Sequence, residues 1–233
     1  MKFNVYVLMP VAKKERAAAA AGRWMKRGYR MLFYQNKGTE QFTNEVTLVD
    51  NYFGVWNACN KLALLAQCLD RIHKMDACVF AGDDMEPDPM KTANEICREY
   101  LDKYPDGEGV MQPSGDPQGV DASGLPAAGR ICGSAWFGRD WIERSYGGRG
   151  PTNAAYWHFY ADEELALVAA KLGLLWWRPD LSQMHLHWSW GHMPRQDYHE
   201  RNQQHWDDDK ALFLARQGAG FPGHELKAKE VKQ

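Results

Sequence analysis

An apolar run that stops at two adjacent carboxylates limits what this chain can fold into more than any other stretch. In CVFAGDDMEPD, Cys78, Val79 and Phe80 have the unbroken hydrophobicity of a strand buried on both faces. Asp83 and Asp84 then emerge at its carboxyl end, where open α/β sheets bind their ligands. Pro87 and Pro89 forbid continuation of the strand, and Asp88 before Pro89 reads as a helix N-cap followed by a favourable first helical residue.

The surrounding pattern predicts an α/β fold. Strands are expected over 3–9, 29–34, 46–49 and 77–81, with an alanine-rich helix over 13–27 closed by Gly28 and a second helix over 55–69. The order β-α-β-β-α-β argues a mostly parallel, Rossmann-like sheet with helices on both faces and right-handed crossovers. Further along, 104–129 is rich in Gly, Pro, Asp and Ser and reads as rim loops. A strand is expected over 130–137, a helix over 162–171 closed by Gly173, a last short strand over 174–177 and polar helix over 194–217. We divide the chain into one domain over 1–193 and a helical extension over 194–233 packed on it, its tail disordered.

With 233 residues, 45% hydrophobic and 25% charged, the chain is long enough for one large core. A net charge of −2 argues against holding nucleic acid through a generally basic surface, though not against a local patch. The five cysteines lack CxxC spacing and sit mostly in apolar runs, so they read as reduced core residues of a reducing, cytoplasmic compartment. KFNVYVLMPV is too short to span a bilayer and lacks a small-residue cleavage site, so no membrane span or signal peptide is expected.

Three constellations carry chemistry. The first is Asp83 and Asp84. The second is Asp162, Glu163 and Glu164 at the first turn of the 162–171 helix, where carboxylates suit the unpaired N–H groups and where one, aimed into a cleft, can serve as a general base. The third is HLHWSWGH: His185 and His187 share a face if the segment is extended, with Trp188 and Trp190 beside them. One imidazole, one or two carboxylates and the oxygens of a diphosphate suit Mn²⁺ or Mg²⁺ better than structural zinc. Arg139, Arg144 and Arg149 lie among the glycines of GRDWIERSYGGRG, a loop able to grip phosphate. Of ten tryptophans, Trp176, Trp177, Trp188, Trp190 and Trp206 concentrate late in the chain; most belong to the core, and some offer a flat face to a sugar or base.

The order of these motifs resembles GT-A glycosyltransferases of the large inverting family-2 type. VYVLMPVAKKER resembles that family's first strand, proline and basic residue, NYFGVWNACNKLALLA its Asn, Gly and Ala-x-Asn helix, VFAGDDMEPDP its DxD-type motif, YADEEL its acidic motif and HLHW its late histidine. Gly82 and Cys59 depart from the pattern, standing where many relatives have an acid and an arginine. The resemblance implies a transferase moving a sugar from a nucleotide diphosphate sugar, a UDP-sugar by preference, to a hydroxyl with inversion. It implies that Asp84, Asp83 and one of His185 and His187 hold the ion. Asp162 would be the base by its spacing to Leu165, with Glu163 the nearest alternative. Pro10, Lys13, Arg16, Asn60 and Asp83 would contact the donor, and Arg139, Arg144, Arg149 and Trp188 the acceptor. Compact size and the late HLHW pattern are similar to bacteriophage-encoded members, some of which glycosylate hydroxymethylated pyrimidines in DNA, so such DNA is the expected acceptor and a lipid-linked or surface glycan the alternative. A nucleotidyltransferase would want a glycine- and lysine-rich phosphate loop, which PVAKKERAAAAAG lacks. A noncatalytic sugar or nucleic-acid binding module would explain the tryptophans but not the acids at the sheet edge.

Overall fold

In the computed structural model, residues 2–39, 46–69, 75–114, 131–188 and 191–223 are described. The first half follows the apolar runs: β1 (Val5–Pro10), α1 (Lys14–Lys26), β2 (Arg30–Asn36), β3 (Thr47–Asp50), α2 (Val55–Leu69) and β4 (Ala77–Phe80). Then come α3 (Ala93–Lys103), β5 (Val110–Ser114), β6 (Trp136–Phe137), α4 (Arg139–Arg144), α5 (Ala161–Lys171), β7 (Leu175–Ser182), α6 (Asp197–Gln203) and α7 (Trp206–Gly218).

The strands form one sheet in the order β3-β2-β1-β4-β6-β5-β7. β1 pairs in parallel with β2 and β4, β2 with β3 and β5 with β7, while β6 runs antiparallel to β4 and β5. The sheet is therefore mostly parallel, as expected, and both faces are covered. Val5, Val7 and Met9 face α1 and α3, whereas Tyr6 and Leu8 face α2 and α5. Burying each such side chain contributes about 1.5–3 kcal/mol, which is why the central strands read as continuous apolar runs.

This topology decides which residues meet. β1, β2, β3, β4 and β7 all end at one edge of the sheet. β6 runs the other way, so Ile131 and Gly133, ahead of it, lie at that same edge, while Gly138 and Arg139, after it, lie at the opposite one. Gly138 packs there on Gly107, which precedes β5.

Several elements differ from expectation. The helix after the acids begins at Ala93, not Pro89, because Thr92 and Glu95 form a reciprocal capping box. The 104–129 stretch contains β5, masked in sequence by Gln112 and Pro113; Gln112 is buried and donates to Ser134 Oγ at 2.9 Å. Among the described residues 131–137, only Trp136 and Phe137 are strand. GRDWIERSYGGRG is not simply a loop: Trp141 and Ile142 are fully buried in α4, and the Trp141 indole donates to Pro151 O at 3.0 Å. β7 runs five residues past Trp177, through Pro179 to Ser182, which an edge strand tolerates. Four cysteines are buried, whereas Cys68 is exposed. Residues 115–129, Arg130, Trp190 and the 224–233 tail lie outside the described residues. Among those described, no helix is long and apolar enough to cross a membrane.

Candidate active site

Asp84 and His185 are brought together by backbone. Just past β4, Met85 forms an isolated antiparallel bridge with His185; Glu86 N donates to Met184 O and Leu186 N to Asp84 O, each at 2.8 Å. Asp88 fastens the two segments. Buried, it accepts Ser182 N at 2.7 Å on one oxygen, and Met90 N and Lys91 N at 2.8 and 2.7 Å on the other. Its role is thus to tie the acidic loop to the end of β7, not to cap a helix at Pro89. The result is His185 Nε2 at 3.5 Å from Asp84 Oδ2. Burial alone would raise the Asp84 carboxyl, but the hydrogen bond and charge of His185, with Arg16 beyond, outweigh it and hold Asp84 below the usual carboxylate range.

The neighbouring acid does different work. Asp83 Oδ2 accepts Ala12 N and Lys13 N at 3.2 and 2.8 Å, and Oδ1 pairs with Arg16 at 2.5 Å. Burial pushes its carboxyl up to about 6 and Asp84 adds to this, against the pull of Arg16 and the Lys13 N–H. With both oxygens engaged, Asp83 fixes the loop after β1 while also lining the cleft. Arg16 also donates to Tyr198 Oη at 3.1 Å, so Lys13 and Arg16 serve this brace and neither lines the cleft. Gly82 has a steric reason: a Cβ there would fall on Asp84 Oδ1.

On another wall, Tyr160 takes a left-handed conformation (φ 67°) and turns the chain into α5. Asp162 and Glu163, in its first turn, line the cleft. Glu164 turns inward, fully buried, accepting the hydroxyls of Tyr146 and Tyr156 at 2.8 and 2.7 Å and a bidentate Arg216 at 2.8 Å on both oxygens. One run of three acids thus divides between cleft and scaffold.

The cleft measures about 710 Å³ and gathers Pro10, Asp83, Asp84, Asp162, Glu163, His185 and His187. This is a size common for small-molecule sites. Asn60 lies elsewhere, buried and bonded to Thr152, donating to its carbonyl at 2.7 Å and accepting its N–H and hydroxyl at 3.1 and 2.9 Å. Arg139, Arg144 and Arg149 are also off the cleft; Arg139 follows β6 at the opposite sheet edge, and Arg144 pairs with Asp140 at 2.8 Å. Trp188 packs beside the histidines, 5.1 Å from Arg195 Cζ and 5.5 Å from the His199 ring.

The sequence reading missed the aromatic lining. Tyr34 stands two residues before the end of β2, Tyr52 two residues after β3, and Trp157, Phe159 and Trp206 add to the wall. The strand-end rule, applied to β2 and β3 as well as β4, points to the first two. His158 and His199 also line the cleft, each held down to about 4, chiefly by burial and then by neighbouring imidazoles. His199 Nδ1 accepts Gln196 N at 2.9 Å, consistent with a neutral ring.

Among the described residues no three His, Cys, Asp or Glu side chains are placed to hold a metal by themselves. Asp84 and His185 are a hard oxygen and an imidazole side by side, a donor pair that fits a Mn²⁺ or Mg²⁺ ion completed by phosphate oxygens and water.

No family model matches the sequence, and no curated protein matches it. Among solved structures, the chain is similar to the catalytic domain of Drosophila β1,4-galactosyltransferase 7 in complex with xylobiose, at 14% identity and a TM-score of 0.51 over 84% of this chain and 75% of that one. A mutant of that enzyme in complex with manganese, UDP-Gal and xylobiose gives 13% and 0.49 over 84% and 73%. A glycosyltransferase involved in glycosylation of the major capsid of PBCV-1 gives 10% and 0.31 over 60% and 62%. The chain thus has the α/β fold of a glycosyltransferase catalytic domain.

Proposed function

We propose that this protein is a metal-dependent, inverting glycosyltransferase that takes a nucleotide diphosphate sugar, a UDP-sugar by preference, as donor. The observation that carries this reading is the convergence of Asp84–His185 with Asp162 and Glu163 on one cleft at the carboxyl edge of the sheet. Tyr34, Tyr52 and Pro10, near the carboxyl ends of β2, β3 and β1, suit the nucleoside half of the donor. Asp84 and His185, with His187 as the further imidazole, would hold the divalent ion. Such an ion, when bound, neutralises charge developing on the departing diphosphate. Asp162 takes the proton of the acceptor hydroxyl, whose oxygen attacks the anomeric carbon as the diphosphate leaves from the opposite face. Glu163 is the alternative base.

The acceptor we propose is hydroxymethylpyrimidine in DNA, following the resemblance to bacteriophage-encoded transferases. Arg139 and Arg144 lie off the cleft, so the cations for such a strand would be Arg195 and Arg201 beside it. A saccharide acceptor is the second reading. Trp206, 38% exposed and braced by Phe159 at 4.7 Å and Tyr160 at 5.1 Å, lines the same cleft as Asp162 and has a flat face that suits a sugar ring as well as a base.

The test is a panel of nucleotide sugars scored for diphosphate release with hydroxymethylated DNA, simple glycosides or no acceptor, each with Mn²⁺ and with chelator. One donor is expected to be consumed only with metal, and Asp162→Asn should lower transfer about 10²- to 10⁴-fold with donor binding intact, Glu163→Gln serving as control. Transfer to glycosides alone removes the DNA acceptor, and full turnover in chelator removes the metal.

A further inference from the structure

We propose that Asp209, on α7, is a positioning residue that sets Asp162 through the loop 157–159; the inference rests on the catalytic role proposed above for Asp162. Asp209 is 3% exposed and stands in the first turn of α7. Its two oxygens accept three successive backbone N–H groups, Trp157 at 2.8 Å on one and His158 and Phe159 at 2.9 Å on the other. Three converging donors on one carboxylate make a rigid anchor.

The other side of the loop is held as firmly. Trp157 O accepts Val55 N at 2.8 Å and His158 O accepts the Trp56 indole at 2.7 Å, both from the start of α2. Gly54 (φ +98°) permits the approach, since a Cβ there would lie 2.5 Å from Trp157 O. The loop is therefore clamped between α2 and α7, and its next residue is Tyr160, whose left-handed backbone aims α5 and with it Asp162. Removing the Asp209 acceptor frees three N–H groups at the point where that backbone conformation must be imposed. Asp209 touches none of the reacting groups, so its effect on turnover must pass through the loop.

A fastening remote from α5 separates positioning from mere stability. Arg178, on β7, pairs with Glu99 of α3 and with Asp180. In Asp209→Asn an amide N–H replaces one acceptor oxygen and opposes the loop's own donors. The expected outcome is a fall in kcat of roughly 10- to 100-fold with the KM for the nucleotide sugar within about twofold. Arg178→Gln, matched for loss of melting temperature, should keep kcat within about threefold. Equal loss of kcat in both variants would overturn the proposal. If Asp209→Asn does not fold, Asp209→Glu, which keeps both acceptor oxygens one methylene further out, should show the same kcat-only loss in weaker form, and unchanged kcat would count against us. Amide hydrogen exchange on the unmodified protein gives a reading independent of activity: the N–H groups of residues 157–159 should be protected, and exchange at open-loop rates contradicts the clamp. If no nucleotide sugar is turned over, the glycosyltransferase reading fails, while the exchange result still decides whether the clamp exists.

Discussion

At the carboxyl end of β4, Asp83 and Asp84 share a sequence position in all but one number and differ in what surrounds them. Asp83 is wrapped by two N–H groups and Arg16, so its removal should be felt in folding; Asp84 faces the cleft and His185, so its removal should be felt in binding. Asp83→Ala strands buried donors and should cost about 1–3 kcal/mol of stability in a urea titration, whereas Asp84→Asn should shift the midpoint little. Equal losses would mean that Asp84 is also scaffold. The same division runs through the other acids. Asp88, Glu164 and Asp209 are buried against backbone N–H groups, hydroxyls or an arginine, and they leave Asp162 and Glu163 to face the cleft. In the sequence all of these are simply acids in acidic stretches. Glu164 and Asp209 do carry a signal, since each lies on the apolar face of its helix, Glu164 four residues before Val168 and Asp209 four before Phe213.

In the first half β1, β2 and β4 were legible because each is buried on both faces and announces itself as an apolar run, with Pro10 marking the end of β1 and Gly28 the end of α1. β5 was not, since Gln112 and Pro113 interrupt it, and β6 was expected but is only two residues long. β7 was shortened by the reading at Arg178 and Pro179, yet those residues belong to a network that fastens the edge of the sheet. Arg178, buried against Trp176 at 4.6 Å, pairs with Asp180 and with Glu99 of α3, each at 2.6 Å. Hydrogen bonding from Arg178 holds the Asp180 carboxyl down to about 2, against a model-peptide value of 3.8. A carboxyl depressed on folding stabilises above its unfolded value, and the contribution is lost as pH falls from about 4 to about 2. Asp180→Asn should therefore destabilise modestly at pH 7, within about 1 kcal/mol because Asp180 is half exposed, and the gap from the unmodified protein should close as the urea titration is repeated toward pH 3. A gap that does not change with pH would assign the effect to packing instead.

On the scale of the whole molecule, the candidate site is assembled from places far apart in the chain: the end of β4, the segment after β7, the first turn of α5 and the wall supplied by α6 and α7. The motifs were readable singly because carboxylates and histidines stand out against apolar runs. Their meeting was not, because it depends on a two-residue backbone bridge at Met85 and His185 and on β6 entering the sheet reversed. The same reversal carries Arg139 to the far edge, which no reading of GRDWIERSYGGRG alone reveals. The C-terminal helices, read as an extension packed on the domain, contribute Tyr198, His199, Arg201, Asn202 and Trp206 to the cleft itself. The central claim is that Asp84 and His185 make one divalent-ion site shared with a nucleoside diphosphate. Its most direct test is a Mn²⁺ titration followed by electron paramagnetic resonance, with and without uridine diphosphate, on the unmodified protein and on Asp84→Asn. The account predicts that the diphosphate tightens Mn²⁺ binding about 5- to 150-fold in the unmodified protein and that this coupling disappears in Asp84→Asn. Mn²⁺ bound equally by both proteins, or indifferent to the diphosphate, would contradict it.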